Sequence, residues 1–226
     1  METLKTTNHS YLLKVKGKKR YYMATGLGLA LVFIGFAMQN TWPIAFGIVS
    51  LGYSGKYLYN RRNAQAGIRG ERAVTTVLQE LNDSYFLIND LVLPNKSRNI
   101  DHVVFGPNGV FCIETKNWMG EVRCYGDEWS KKRKGRIYQV ASISKQARGN
   151  AFDLSETLHE RTNKRVWVSP IVVFTELSAR LQINNATLPV LRITELSQHI
   201  RNANSSTRLT KEEILSIAQG ILPKAA

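Results

Sequence analysis

The apolar positions of this chain follow one pattern up to Arg62 and another after it. In the first part, Tyr21–Met38 and Trp42–Gly55 are uncharged, largely apolar runs separated by three polar residues. A helix that crosses a membrane needs about 20 mainly apolar residues, with about 17 as a workable minimum. We therefore predict a membrane helical hairpin over residues 21–62, in which Lys56 reaches the interface with its long side chain.

Basic residues flank both ends of this predicted hairpin, at residues 14–20 and at Arg61-Arg62. Since cytoplasmic flanks carry the excess of Lys and Arg, the pattern predicts a multi-pass protein of the inner (cytoplasmic) membrane with both ends in the cytoplasm. Residues 1–20 would form a basic cytoplasmic segment, and residues 21–59 would contact lipid. A cleaved signal peptide and a buried or re-entrant hairpin are the alternatives.

After Arg62 the apolar positions take on helix and strand spacing. Residues 63–82 and 144–161 have apolar positions on one helical face, which predicts two helices. Runs rich in β-branched and aromatic residues predict strands at residues 85–93, 100–105, 110–113, 121–125, 129–140, 166–174 and 188–193. The order is helix, three strands, ribbon, helix and strand. We assign residues 63–176 to one domain, and residues 177–226 to a strand and helices that complete it or pack on it.

The net charge of +14 is concentrated in the first 62 residues and in a short segment from Trp129 to Arg148. This segment suits contact with a nucleic-acid backbone, with an aromatic ring available for stacking on a base. The predicted contacts are Lys131, Lys132, Arg133, Lys134, Arg136, Arg148 and Trp129. A solvated loop or a contact with anionic lipid would explain the same charges. The two cysteines, Cys112 and Cys124, give no sign of a disulfide framework or a zinc site.

The stretch Asn99–Trp118 carries the most specific chemistry in the sequence. Gly106-Pro107-Asn108-Gly109 separates two strand-like runs, and its Pro in second and Gly in fourth position suit a type I turn. Tight pairing across this turn places Asp101 opposite Glu114. Since side chains alternate along a strand, Lys116 shares the face of Glu114. The spacing predicts two carboxylates and one ammonium on one side of a hairpin.

Two neighbouring carboxylates repel each other unless a positive charge lies between them. Mg²⁺ is suited to this place because it takes oxygen ligands from one or two protein carboxylates and leaves positions for water and phosphate. Lys116 would then hold the attacking water or stabilise charge on a phosphate. The alternative is a solvated cross-strand charge pair, and a β-bulge at the turn would break the register on which the metal site depends.

Several motifs accompany this hairpin between residues 64 and 174. They are Gly70-Glu71-Arg72, Ile100-Asp101-His102-Val103-Val104, Gly106-Pro107-Asn108-Gly109, Ile113-Glu114-Thr115-Lys116-Asn117-Trp118, Gly120, Trp129 and Gln146. With them the sequence resembles the nuclease-related domain (NERD) family of the PD-(D/E)XK nuclease superfamily. The resemblance implies a restriction-endonuclease-like αβββαβ core, a mixed sheet with helices on both sides, here preceded by the two predicted transmembrane helices.

The resemblance also implies roles for individual residues. Asp101 and Glu114 would be metal ligands, with the Thr115 carbonyl as a third, and Lys116 would position or activate water. Glu71 would be an auxiliary acid on the first helix. Gln146 would point from the second helix toward the site or the phosphate. The sequence departs from the family pattern just before Gln146, where family members often carry Asn-Pro and this chain has Ser-Ile.

The function expected from these features is a membrane-anchored nuclease that requires Mg²⁺ or Mn²⁺ and hydrolyses phosphodiester bonds of DNA, or of RNA. The main alternative is a non-catalytic module that binds nucleic acid or anionic lipid at the membrane. A membrane scaffold whose basic tip contacts a protein is a third reading. The sequence leaves oligomerisation open.

Overall fold

The computed structural model describes residues 2–6, 18–94, 96, 99–133, 135–204 and 209–221. Lys134, a predicted nucleic-acid contact, lies outside this set. The described chain is mixed α/β, with two mixed sheets flanked by helices. It forms two compact units, one that ends at Ile68 and one that contains the N-terminal strand and everything from Arg69 onward.

The larger sheet has six strands in the order β1-β2-β3-β4-β8-β10. Their bounds are β1 (Glu2–Thr6), β2 (Phe86–Val92), β3 (Asn99–Gly106), β4 (Gly109–Lys116), β8 (Val168–Phe174) and β10 (Val190–Arg192). Strands β2, β3 and β4 pair antiparallel, whereas β4 pairs parallel with β8 and β1 pairs parallel with β2. The sequence did not predict β1, which lies in the stretch assigned to a basic segment.

The hairpin between β3 and β4 has the predicted register. Gly106 pairs with Gly109, and the pairing continues without a shift to His102 and Ile113, immediately before Asp101 and Glu114. Gly109 has φ +132°, a conformation that side-chain-bearing residues rarely adopt. The turn therefore fixes which residues of the two strands face each other.

The described residues form five α-helices. They are α1 (Lys18–Ala37), α2 (Thr41–Leu78), α3 (Ile143–Thr162), α4 (Leu196–Asn202) and α5 (Lys211–Ile221), with a 3₁₀ turn at Ile193–Glu195. Apolar residues of α3 and α5 form one core with β2, β3 and β4. The end of α2 and α4 form a second core on the opposite face. A capping box begins α5, because Thr210 and Glu213 bond reciprocally.

The second sheet has four strands in the order β7-β6-β5-β9. Their bounds are β5 (Glu121–Tyr125), β6 (Glu128–Arg133), β7 (Arg136–Val140) and β9 (Arg180–Asn184). Strands β6 and β7 form the predicted basic ribbon, and β9, which was not predicted, pairs parallel with β5. A third core joins this sheet to α3 and to the end of β8.

The smaller unit consists of α1 and the first part of α2. The two helices approach closely, since a Cβ atom on Gly47 would lie 2.7 Å from the carbonyl oxygen of Gly28. Ser50 Oγ also donates a hydrogen bond of 2.7 Å to the carbonyl oxygen of Ala24.

The predicted membrane hairpin, and with it the multi-pass location at the inner membrane, is wrong. Within the described part of the chain, no helix combines the length and the apolar character that a bilayer crossing requires. The first three residues of α1, Lys18 to Arg20, are basic, and the uncharged part of α2 ends before Lys56. Each uncharged stretch is thus shorter than about 20 residues. The lipid contact expected for residues 21–59 depended on the same hairpin.

Candidate functional site

The β3–β4 hairpin brings Asp101, Glu114 and Lys116 together at the carboxyl end of β4. The Glu114 side chain is only 3 % exposed, and its Oε1 atom forms an ion pair with the Lys116 ammonium. The carboxylate of Asp101 reaches across to β4, where its Oδ2 atom accepts a 2.8 Å hydrogen bond from the Thr115 N–H. Two acids and one amine therefore share a small, partly buried space.

The pKa of Asp101 lies well above its usual range. Burial is the main cause, followed by repulsion from the Glu114 carboxylate and, more weakly, from Glu71. The Thr115 N–H and the Lys116 ammonium act in the opposite direction, but they do not offset the repulsion. The surroundings of Asp101 thus disfavour the charged form of its carboxyl group.

Helix α3 supplies two amide groups that hold Glu114. Gln146 Nε2 donates a 2.8 Å hydrogen bond to Oε1, and Asn150 Nδ2 lies 3.4 Å from Oε2. Lys116 Nζ also lies 3.5 Å from Gln146 Oε1. Sequence reasoning missed Asn150. The available signal was its position four residues after Gln146, which places both amides on one helical face.

The start of α3 is well formed although the sequence departs from the family pattern there. Ser142 is the N-cap residue and accepts a hydrogen bond from the Lys145 N–H. Its hydroxyl also donates a 2.6 Å hydrogen bond to the carbonyl oxygen of Asp127, and Ile143 is buried. A serine cap thus begins the helix in the register that turns Gln146 toward Glu114.

Glu71 reaches the same region from α2. A Cβ atom on the preceding Gly70 would lie 2.8 Å from Asn117 Cβ and 2.9 Å from Thr175 Oγ1. Only glycine therefore lets α2 approach the ends of β4 and β8 so closely. Glu71 is partly buried, and its charge contributes to the raised pKa of Asp101.

A buried polar chain, also missed by the sequence analysis, ties this part of α2 to the sheet. His102 Nδ1 lies 2.7 Å from Asn89 Oδ1, and Thr75 Oγ1 donates a 3.4 Å hydrogen bond to the same oxygen. Burial lowers the pKa of His102 to about 3, so its ring is neutral at ordinary pH. The Thr75 hydroxyl also donates to the Glu71 carbonyl oxygen. These contacts fix the turn of α2 that carries Glu71.

The oxygen donors at the site suit a hard divalent cation. The residues described here contain no group of three or more His, Cys, Asp or Glu side chains that could hold a metal. Two carboxylates are nevertheless enough for Mg²⁺, which completes its shell with water, phosphate or carbonyl oxygens. Because the Thr115 N–H points to Asp101, the carbonyl oxygen of Thr115 faces the same strand edge. Two neighbouring carboxylates also repel each other less when a cation lies between them.

The basic ribbon brings together only some of the predicted nucleic-acid contacts. Lys132, Arg133 and Arg136 are exposed on β6 and β7, and Lys131 Nζ lies 4.3 Å from the Trp118 ring centroid. Arg148 lies instead on α3, where it forms an ion pair with Asp127 and a hydrogen bond to Thr187. The ribbon is thus a separate cationic surface without Arg148.

Trp129 is a core residue, which corrects its predicted role in base stacking. Its side chain is 1 % exposed, and its ring stacks on Phe174 at 5.9 Å between centroids. The indole N–H donates a 2.8 Å hydrogen bond to Ser144 Oγ. A base cannot reach this ring because the third core encloses it.

The fold and the site together define a mixed α/β protein with a carboxylate–lysine–amide cluster and a separate, exposed cationic ribbon. Residues 66–175 of the chain match the family model described as nuclease-related domain, NERD. The match contains Glu71, the β3–β4 hairpin, the ribbon and α3, and it supports the resemblance found in the sequence. A nuclease-related domain points to interaction with nucleic acid. No curated protein and no solved structure matches the chain.

Proposed function

We propose that this chain is a divalent-metal-dependent nuclease that hydrolyses phosphodiester bonds of DNA or RNA. The observation that carries the proposal is the position of Asp101 and Glu114 at one strand edge, with Lys116 bonded to Glu114. The order α2, β2–β4, α3, β8 supports a restriction-endonuclease-like αβββαβ core, with β5–β7 inserted before α3.

Three groups would hold the cation: the carboxylates of Asp101 and Glu114 and the carbonyl oxygen of Thr115. A bound Mg²⁺ or Mn²⁺ supplies Lewis-acid polarisation of the phosphate and an acidified water. Gln146 and Asn150 keep the Glu114 carboxylate in one orientation, so that little reorganisation is needed when the metal binds.

Lys116 has two roles in this proposal. In the absence of substrate its ammonium compensates Glu114. With substrate present, the same ammonium orients the attacking water or stabilises the negative charge that develops on the phosphate oxygens. Glu71 is the auxiliary acid, because it approaches the site from α2 and its charge helps to raise the pKa of Asp101.

The basic ribbon would hold the substrate. Lys131, Lys132, Arg133 and Arg136 present cations that suit phosphate groups, and such contacts position a nucleic acid without reading its sequence. DNA is the substrate that we favour, and RNA is tested beside it.

A cleavage assay on the purified full-length chain tests the proposal. Single- and double-stranded DNA and RNA are incubated with Mg²⁺ or Mn²⁺, with EDTA as the metal-free control. We expect cleavage that requires metal, is lost in Glu114→Gln and is retained in Glu128→Gln, a control at an exposed acid on β6. Equal cleavage by wild type and Glu114→Gln would contradict the proposal. Nucleic-acid binding without cleavage under any condition would favour the non-catalytic module instead.

A further inference from the structure

A cavity of about 640 Å³ lies outside the candidate site, between α3, the start of β8, the segment before β10 and α4. Two large aromatic side chains line this cavity: Phe152, on α3, and Trp167, the residue immediately before β8. They are 65 % and 69 % exposed, although aromatic rings of this size are usually more deeply buried. The other lining residues are mostly apolar and include Ala151, Val168 and Leu188.

The lining of this cavity favours a flat ligand that carries negative charge. None of the lining residues is acidic, and Arg148 and His199 contribute basic groups. Arg148 has five N–H donors, of which one bonds Thr187 and another Asp127. Aromatic rings stack on any nucleobase, because each base has a π-face. A nucleotide combines such a ring with a phosphate, and its size suits a cavity of this volume.

The edge of β8 at this cavity does not favour an added peptide strand. Strand β10 pairs with Val172–Phe174, so among the described residues the first half of β8 has an open edge on this side. The N–H of Val172 points to that edge, where it bonds the carbonyl of Pro189, and Pro170 therefore occupies the preceding edge position. Proline offers no N–H there, which is a common protection of open sheet edges.

We propose that this cavity binds an unstacked base of a single-stranded nucleic acid between Phe152 and Trp167. This deepens the proposed function by naming a single-stranded substrate, or a locally opened one, and it rests on that function. Helix α3 connects the two places: Gln146 and Asn150 contact Glu114, whereas Arg148 and Phe152 line the cavity. A strand bound in the cavity would thus be held by the helix that also supports the site.

Binding measurements in EDTA test this proposal without catalysis. The probes are a fluorescently labelled oligothymidylate and a labelled duplex of the same length, with anisotropy as the readout on the full-length chain. We expect Trp167→Ala and Phe152→Ala each to weaken single-strand binding by about tenfold and to leave duplex binding within about twofold. Trp167→Phe should retain most of the affinity, since it keeps a stacking ring. Leu177→Ala removes an equally exposed apolar side chain elsewhere and is the control.

Intrinsic fluorescence gives a second readout. Oligothymidylate should quench tryptophan emission of the wild-type chain, and this change should be absent in Trp167→Phe. Unchanged single-strand affinity in Trp167→Ala and Phe152→Ala, equal losses for single strand and duplex, or no single-strand binding by wild type would each overturn the proposal. Cleavage by wild type and Glu114→Gln is scored separately, so failure of the cavity proposal is distinguishable from failure of the nuclease proposal.

Discussion

The candidate site and the basic ribbon both present charged groups, but they present them in opposite environments. Glu114 is almost fully buried and has three donors around its carboxylate, namely Lys116, Gln146 and Asn150. Arg133 and Arg136 are exposed at the end of a two-stranded ribbon. Charges in the buried site interact strongly and at fixed distances, whereas salt screens those on the ribbon.

Because of this difference, we assign the chemical step to the buried site and the binding of nucleic acid to the exposed ribbon. In the site, the identity of each residue matters, because removal of one group leaves the others without a partner. On the ribbon, the number of cations determines the affinity for nucleic-acid phosphates. One substitution there should therefore lower this affinity slightly and change little else. Substitutions in the two regions should therefore change different measured quantities.

The largest effect is expected from Asp101→Asn. The amide can keep the hydrogen bond from Thr115, but it removes one of two anionic oxygen ligands. We expect metal-dependent cleavage to fall by at least about 10³-fold, measured as single-turnover rate at saturating Mg²⁺. Nucleic-acid affinity in EDTA should stay within about twofold of wild type. Glu128→Gln, at the exposed acid on β6, is the control. Full activity in Asp101→Asn would remove the basis of the metal site.

Gln146→Ala and Asn150→Ala should have the next largest effect. Both remove a donor to Glu114, so the carboxylate loses part of its fixed orientation. We expect the Mg²⁺ concentration for half-maximal cleavage to rise by about 10–100-fold, while the rate at saturating metal changes much less. Gln79→Ala, at an exposed position just after α2, is the matched control. A loss of maximal rate without a change in metal requirement would argue against this supporting role.

The double variant Arg133→Ala/Arg136→Ala tests the ribbon. Loss of two exposed cations should weaken binding by about five- to tenfold at low salt and reduce the slope of log affinity against log salt by about 2. The single-turnover rate at saturating substrate should be unchanged, since the site is intact. Arg201→Ala/Lys211→Ala removes two exposed cations from α4 and α5 as a control. An unaltered salt slope would exclude the ribbon from the binding surface.

A smaller effect is expected on stability. Because the pKa of Asp101 is raised in the folded state, its carboxyl ionises more readily in the unfolded chain, and the resulting cost in stability grows as pH rises from the ordinary pKa and levels off above the raised one. Asp101→Asn should increase Tm by roughly 2–8 °C at pH 8, corresponding to about 1–2 kcal/mol, and the difference should vanish in acid. Differential scanning fluorimetry from pH 4 to 8 measures this. A variant that is less stable than wild type at pH 8 would contradict the cause given for the raised pKa.

The hairpin was predictable from local chemistry, whereas several neighbouring features were not. The turn residues and the alternation of side chains along each strand predicted the register that brings Asp101 opposite Glu114, and the β3–β4 pairing has this register. Strand β9 was missed because its residues alternate between exposed and half-buried and it lacks a continuous apolar run. Asn150 was missed because a buried asparagine in a helix looks like a surface residue until its partner is known.

Two errors have a common physical origin. Trp129 neighbours cations in the sequence, but the packing of β6 against Phe174 and Ser144 turns its ring inward. The runs before Lys56 lack charge, but uncharged residues alone do not give a helix the length and apolar character needed to cross a bilayer. In both cases the prediction used the residue types alone and left out the packing and the flanking residues.

Direct titration of Mn²⁺ into the full-length chain, followed by electron paramagnetic resonance, tests the shared carboxylate site most directly. Wild type should bind one Mn²⁺ per chain at neutral pH, and Asp101→Asn and Glu114→Gln should each weaken this binding by at least about tenfold. Glu128→Gln should bind as wild type does. Equal Mn²⁺ affinity in wild type, Asp101→Asn and Glu114→Gln would show that the two carboxylates do not hold a cation together.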